Sequence, residues 1–81
     1  MFQVRTTSPL DEDWELLDDL LYKAAGRKSD QSGAGKTEKG KYREHVWLVC
    51  DFKDAQALKL ILETLDGVSA SIREHTSLSG V

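Results

Sequence analysis

The sequence predicts an α+β domain, two helices packed on one face of a three- or four-stranded antiparallel sheet. Three observations predict it: two apolar stripes at helical spacing, three segments that alternate apolar and polar residues, and the order strand–helix–strand–helix–strand. Eighty-one residues hold one hydrophobic core, so residues 1–81 are expected to form a single domain.

Met1 to Thr7 alternates, with Phe2 and Val4 on one side and Gln3 and Arg5 on the other, as in a half-covered strand. Ser8-Pro9-Leu10-Asp11 is a helix start: a hydroxyl that can cap, a proline suited to the first turn, then acids at the positive end of the dipole. Leu10, Trp14, Leu17, Leu21 and Ala24, with Leu20, make one apolar stripe, and Gly26 stops the helix. Residues 27–41 have one apolar side chain, Ala34, and no period, so they are expected to form a flexible basic loop that could hold an edge strand.

Arg43 to Phe52 is the strongest strand signal. Val46, Leu48, Cys50 and Phe52 share one side and are assigned to the core; Arg43, His45, Trp47 and Val49 share the other and are assigned to the open face. A second helix follows from about Asp54 to Asp66, with Leu58, Ile61, Leu62 and Leu65 inward and Gly67 as its stop. In Val68 to Thr76, Val68, Ala70 and Ile72 face inward, and Ser69, Ser71, Arg73 and His75 outward. With an edge strand inside 27–41 the order becomes βαββαβ, the ferredoxin-like arrangement; without it the sheet has three strands.

The net charge of −3 is unevenly spread. Residues 11–19 carry Asp11, Glu12, Asp13, Glu15, Asp18 and Asp19 without a cation, which reads as a solvated helix face. Arg27, Lys28, Lys36, Lys39 and Lys41 make the loop basic and a candidate for loose anion binding. The early acids, with no basic stretch leading into a long apolar run, argue against a signal peptide or membrane span. The one cysteine, Cys50, cannot form an internal disulfide; a reducing, cytoplasmic setting is expected.

Ser32-Gly33-Ala34-Gly35-Lys36-Thr37 resembles the end of a phosphate-binding P-loop, and Val46 to Asp51 a Walker B strand. The pattern would need glycine where Asp30 stands, a strand before the loop and an apolar helix after it. A helix precedes and EKGKYREH follows, so the match is read as chance and no nucleotide hydrolysis is expected. Cys50 and His45 lie on opposite sides of a strand, which blocks a nucleophile–base pair, and His45 and His75 lack metal-ligand spacing. No cofactor or metal is expected.

What remains is the open face, where Arg5, Arg43, His45, Trp47, Val49 and Arg73 form the expected interaction surface. An aromatic beside arginines suits a contact with a second copy or another protein. The function expected on this ground is a small non-enzymatic regulatory or adaptor protein, self-associating through the sheet. The alternative is an RNA or single-stranded DNA module with Trp47 stacked on a base and the basic segment 27–43 on phosphates.

Overall fold

In the computed structural model, which describes residues 1–74, the chain runs β1 (Phe2–Pro9), α1 (Trp14–Ala25), β2 (Gln31–Thr37), β3 (Gly40–Val49), α2 (Phe52–Leu62) and β4 (Ser69–Glu74). The four strands form one sheet in the order β2-β3-β1-β4, every neighbouring pair antiparallel. Each helix carries the chain across an inserted strand: α1 joins β1 to β2 over β3, and α2 joins β3 to β4 over β1. This is the α+β, ferredoxin-like arrangement. His75, Thr76 and the tail 77–81 lie outside the described residues. Among the described residues, no helix is long and apolar enough to cross a membrane.

The register of the two central strands decides which side chains the helices cover. Val4 stands opposite Trp47, Thr6 opposite His45, Phe2 opposite Val49 and Ser8 opposite Arg43. Directly opposed residues share a face, and Val4 and Trp47 are both fully buried, clustered with Leu21, Ala55 and Leu62 and with the nearly buried Val68. The expected parity of β3 is therefore right and its side inverted. Trp47, His45, Arg43 and Val49 lie beneath the helices, while Val46 and Leu48 face the open side. Alternation could not settle this because β3 is apolar on both faces. The largest apolar surface takes the covered one, and the Trp47 Nε1–H is satisfied there by Arg27 O at 3.2 Å. Val46 is buried as well, on the open face between its partners Arg5 and Gln31.

Other boundaries move for local reasons. The sequence predicts a helix start at Ser8, yet β1 runs on to Pro9, since pairing with β3 continues to Tyr42 and seats Ser8 in the interior. The Asp11 carboxylate instead accepts the Asp13 N–H in the turn before α1. Gly26 closes that helix in the left-handed conformation, φ +82°. Cys50, expected in the core, is exposed just past β3. Asp51 caps α2 by accepting the Lys53 N–H at 2.9 Å, so Phe52 opens that helix and does not extend the strand. Ile61, expected inward on α2, is 46% exposed, whereas Leu62 is fully buried.

The segment 27–41 is a clamp followed by half a hairpin. Residues 31–37 pair with β3 as an edge strand, and the resemblance to a P-loop falls inside it, in extended backbone. Gly35 is needed by its partner Tyr42, because a Cβ there would run into the tyrosine ring lying across it. Ahead of β2, residues 27–30 are tied to β3. The Arg27 guanidinium donates to Leu48 O at 2.7 Å, the Leu48 N–H donates to Asp30 at 2.7 Å, and Arg27 and Asp30 pair at 3.0 Å.

Burial of Trp47 makes it a stability residue. Trp47→Ala is expected to lower the unfolding free energy by about 3–5 kcal/mol, a large share of the roughly 5–15 kcal/mol typical of a domain. Urea denaturation measures this, and wild-type stability in the variant would contradict the inward placement.

Candidate functional site

Beneath α1 the covered sheet face is polar. Asp18, on the inward side of α1, is 7% exposed and meets Arg43 and His45 of β3. Arg43 donates from Nη2 and Nε to Asp18 Oδ2 at 2.9 and 3.2 Å, and its guanidinium lies 5.0 Å from the centre of the Trp14 ring. Hydrogen bonding to Asp18 raises the Arg43 pKa above even its ordinary high value, with burial working against it. His45, fully buried, has Nε2 2.7 Å from Asp18 Oδ1 and Nδ1 2.9 Å from Ser29 Oγ. A carboxylate only accepts, so Nε2–H donates to Asp18, and Nδ1 is hydrogen-bonded with the Ser29 hydroxyl. Tyr22 stands edge-on to the imidazole at 5.4 Å and Trp47 tilts against it at 5.6 Å. Thr6, opposite His45, buries its hydroxyl without a hydrogen-bond partner among the described residues.

Ser29, His45 and Asp18 thus line up as hydroxyl, imidazole and carboxylate, the order used to activate a serine. Here the imidazole is closed off by Tyr22 and Trp47, and the surface cavities described below are lined by neither His45 nor Ser29. The arrangement ties α1 and the 27–30 connection to the middle of β3. Sequence spacing could not reveal it, since Asp18 is 27 residues from His45 and looks like one more acid on an acidic face.

The expected interaction surface is divided. Arg43, His45, Trp47 and Val49 are on the helix side, and only Arg5 and Arg73 reach the open face. Arg5 stands 3.8 Å from Glu44 in a loose ion pair. The rest of the open face is Gln3, Thr7, Tyr42, Glu44, Val46, Leu48, Gln31, Gly33, Gly35, Ser69 and Ser71. Tyr42 is its aromatic residue, a role the sequence reading gives to Trp47. The basic group separates too. Arg27 belongs to the clamp, Lys28 is exposed before β2, Lys36 stands directly opposite Lys41 in the hairpin, and Lys39 and Lys41 line a cavity of about 270 Å³ with Thr7, Ser8, Thr37 and Ser69. The acidic and basic clusters also prove to be neighbours: the Leu10 N–H donates to Lys41 O at 3.1 Å, so the hairpin turn and the start of α1 share one end of the sheet.

On the helix layer, Leu16, Leu20, Leu60 and Ile61 are 61, 42, 66 and 46% exposed. A cavity of about 280 Å³ opens between the helices, lined by Ala24, Ala25, Arg27, Val49, Asp54, Ala57, Leu58 and Ile61. Leu20 and Leu16 stand one and two turns before Ala24 on the same flank of α1. A larger hollow, about 700 Å³, lies at the other flank of α2 among Phe2, Phe52, Leu60 and Ile72. Compared with family models, curated proteins and solved structures, the chain matches none.

Two outcomes follow from the polar half. Asp18→Asn strands the Arg43 charge and is expected to cost about 3 kcal/mol in urea denaturation; replacing Asp18, Arg43 and His45 together by Leu, Met and Phe, so that no buried partner is left unpaired, is expected to recover most of it. Hydrogen bonding from the Leu48 N–H, then from Arg27, holds the Asp30 carboxyl below its ordinary value. A lowered folded value means the clamp's stabilisation is complete above the ordinary aspartate pKa and is lost as pH falls through the lowered one. The Leu48 amide resonance should therefore titrate below the usual aspartate range, and this titration should vanish in Asp30→Asn.

Proposed function

We propose that the chain is a small non-enzymatic adaptor domain that docks a basic amphipathic helix of a partner protein in the groove between α1 and α2. The observation that carries this reading is the placement of exposed apolar side chains: Ile61 lines the groove, and Leu20 and Leu16 stand one and two turns before Ala24 of its wall, while Phe52 and Leu60 belong to the hollow at the other flank of α2. Solvated helices ordinarily turn such residues inward, and an apolar strip rimmed by polar groups is the usual form of a contact surface.

The groove's shape suits a helix. Ala24 and Ala57 leave its walls low, Val49, Leu58 and the exposed Ile61 lie among its lining, and Leu20 extends the α1 side one turn before Ala24. Low walls between ridges admit side chains of a third helix at i, i+3, i+4 and i+7. Charge selects the partner. Asp11, Glu12, Asp13, Glu15 and Asp19 are exposed at and along α1, and Asp54 lies at the groove, where the cation Arg27 is already engaged by Asp30 and Leu48 O. A helix carrying lysine or arginine beside its apolar face meets these acids favourably. Self-association through the sheet loses its main support, since Trp47 is beneath the helices. The non-enzymatic part of the reading is supported by the enclosure of the Ser29–His45–Asp18 chain.

A short synthetic helix of leucine and lysine, fluorescently labelled, is the probe. Anisotropy is expected to show saturable binding, weakened at least about tenfold in Leu20→Ser/Ile61→Ser, because two contacts each worth about 1.5–3 kcal/mol are lost. Equal affinity for wild type and variant would remove the groove as the site, and dimerisation on light scattering that these substitutions abolish would replace the partner with a second copy.

A further inference from the structure

The open face at the hairpin end holds a second, chemically different site, on the opposite side of the molecule from the interhelical groove. We infer that it binds a nucleotide unit, with the base stacked on Tyr42 and the phosphate held by Lys39 beside the hydroxyls of Thr7, Thr37 and Ser69.

Strand register brings the site together. Tyr42 of β3 pairs with Gly35 of β2, and both belong to the face that carries Arg5 and Thr7 of β1 and Glu44 of β3. A side chain at Gly35 would collide with the Tyr42 ring, which means that the ring lies down across the β2 backbone. Gly33, the next residue of β2 on this face, adds no side chain either, and a Cβ there would meet nothing. An aromatic laid on a bare strand has one face supported by backbone and the other turned outward, the geometry of a stacking platform.

Two hollows meet at this ring. One, about 440 Å³, is lined by Arg5, Thr7, Thr37, Tyr42 and Glu44; the other, about 270 Å³, shares Thr7, Thr37 and Tyr42 and adds Lys39, Lys41 and Ser69. The smaller hollow has no carboxylate in its lining, which includes Lys39 of the turn and the hydroxyl residues Thr7, Thr37 and Ser69. Lys39 is exposed and its side chain forms no ion pair among the described residues, so its ammonium group is available to an anion, whereas Lys41 stands opposite Lys36 at the parity of Arg43, on the other face. The larger hollow offers a donor and an acceptor side by side. The Arg5–Glu44 pair is loose at 3.8 Å, with side chains 37 and 32% exposed, and can open toward the polar edge of a planar ring. A phosphate alone would use only the smaller hollow, and an uncharged aromatic only the larger. A base joined to a phosphate uses both at once. The glycines of the segment that resembles a P-loop thus serve phosphate chemistry by a different route, through the floor they leave for Tyr42 and not through a cradle of amides.

The nucleotide could be free or part of a single strand, and titration distinguishes these. Amide and side-chain NMR spectra of the full chain are followed with adenosine monophosphate, with a short single-stranded adenine RNA, and with inorganic phosphate. Expected are shifts at Tyr42, Arg5 and Lys39, and affinity reduced at least about tenfold by Tyr42→Ala and by Lys39→Glu. The second variant changes only an exposed side chain, so the test does not hinge on folding of the first. Equal affinity for monophosphate and strand assigns the site to free nucleotides. Much tighter, strongly salt-dependent binding of the strand assigns it to single-stranded nucleic acid. Absence of shifts with both nucleotide probes overturns the inference, as do inorganic phosphate matching the monophosphate and affinity unaffected by Tyr42→Ala.

Discussion

The pairing of β1 with β3 in the register that sets Val4 against Trp47 is the constraint from which the rest of the architecture follows. A shift of one residue would exchange the two faces of β3 relative to β1. In the observed register, the indole fills the space under the helices with Leu21, Ala55 and Leu62, and it brings His45 and Arg43 inward at the same parity. Two polar residues of β3 are then committed to the covered side, and α1 must supply their partner. Asp18 does so. One carboxylate meets a guanidinium and an imidazole together, which explains how an acid on an otherwise solvated helix comes to be buried.

The covered face is consequently of two kinds. Under α2, the contacts are apolar: Val4, Ala55, Leu62 and Val68, with Ile72 against them. Under α1 they are polar and directional, running from Asp18 through His45 to Ser29 and from Trp47 to Arg27 O. Apolar contacts favour closeness without fixing orientation, whereas the hydrogen-bonded half fixes where the chain leaves α1. That matters because β2 is an edge strand with little to anchor it: its residues are small or polar, and Ala34 is its one apolar side chain beyond glycine. The clamp at 27–30, joined to β3 through Arg27, Ser29 and Asp30, delivers β2 to its partner already aligned.

Most of the architecture was legible, because periodicity reports it. The two helices, the strands flanking them and the inward residues Val4, Leu21, Leu62 and Ile72 all follow from spacing. The edge strand was visible only as an option, since Gln31 to Thr37 lacks the branched and aromatic residues that mark strands. It forms because Tyr42 and Arg43 supply what it lacks, the ring over Gly35 and a guanidinium reaching Gly33 O at 3.5 Å. The candidate sites were less legible. Alternation assigns residues to faces without saying which face is covered, and on a strand apolar on both sides the answer depends on which surface the neighbouring strand buries. Tyr42 went unnoticed because it lies at the edge of the basic segment, and Asp18 because five exposed acids surround it in sequence.

Inverting β3 also changes what the two faces can do. With Trp47 outward, the sheet would have been the sticky side of the molecule and the helices its solvated cover. With Trp47 inward, the sheet is left with a polar surface on which Tyr42 is the one broad flat ring among the described residues, and the exposed aliphatic side chains lie on the helices. The fixed charges divide in the same way, lysines at the hairpin turn and acids on α1, although backbone contact at Leu10 and Lys41 makes these clusters neighbours at one end. An anion approaching the hairpin therefore feels the acids as well, and repulsion falls with distance and salt. A site in that position favours a ligand whose charge can settle against Lys39, on the sheet side of the boundary, while its uncharged part extends away from α1 along the strands. Tyr42 and the hollow beyond it lie in that direction.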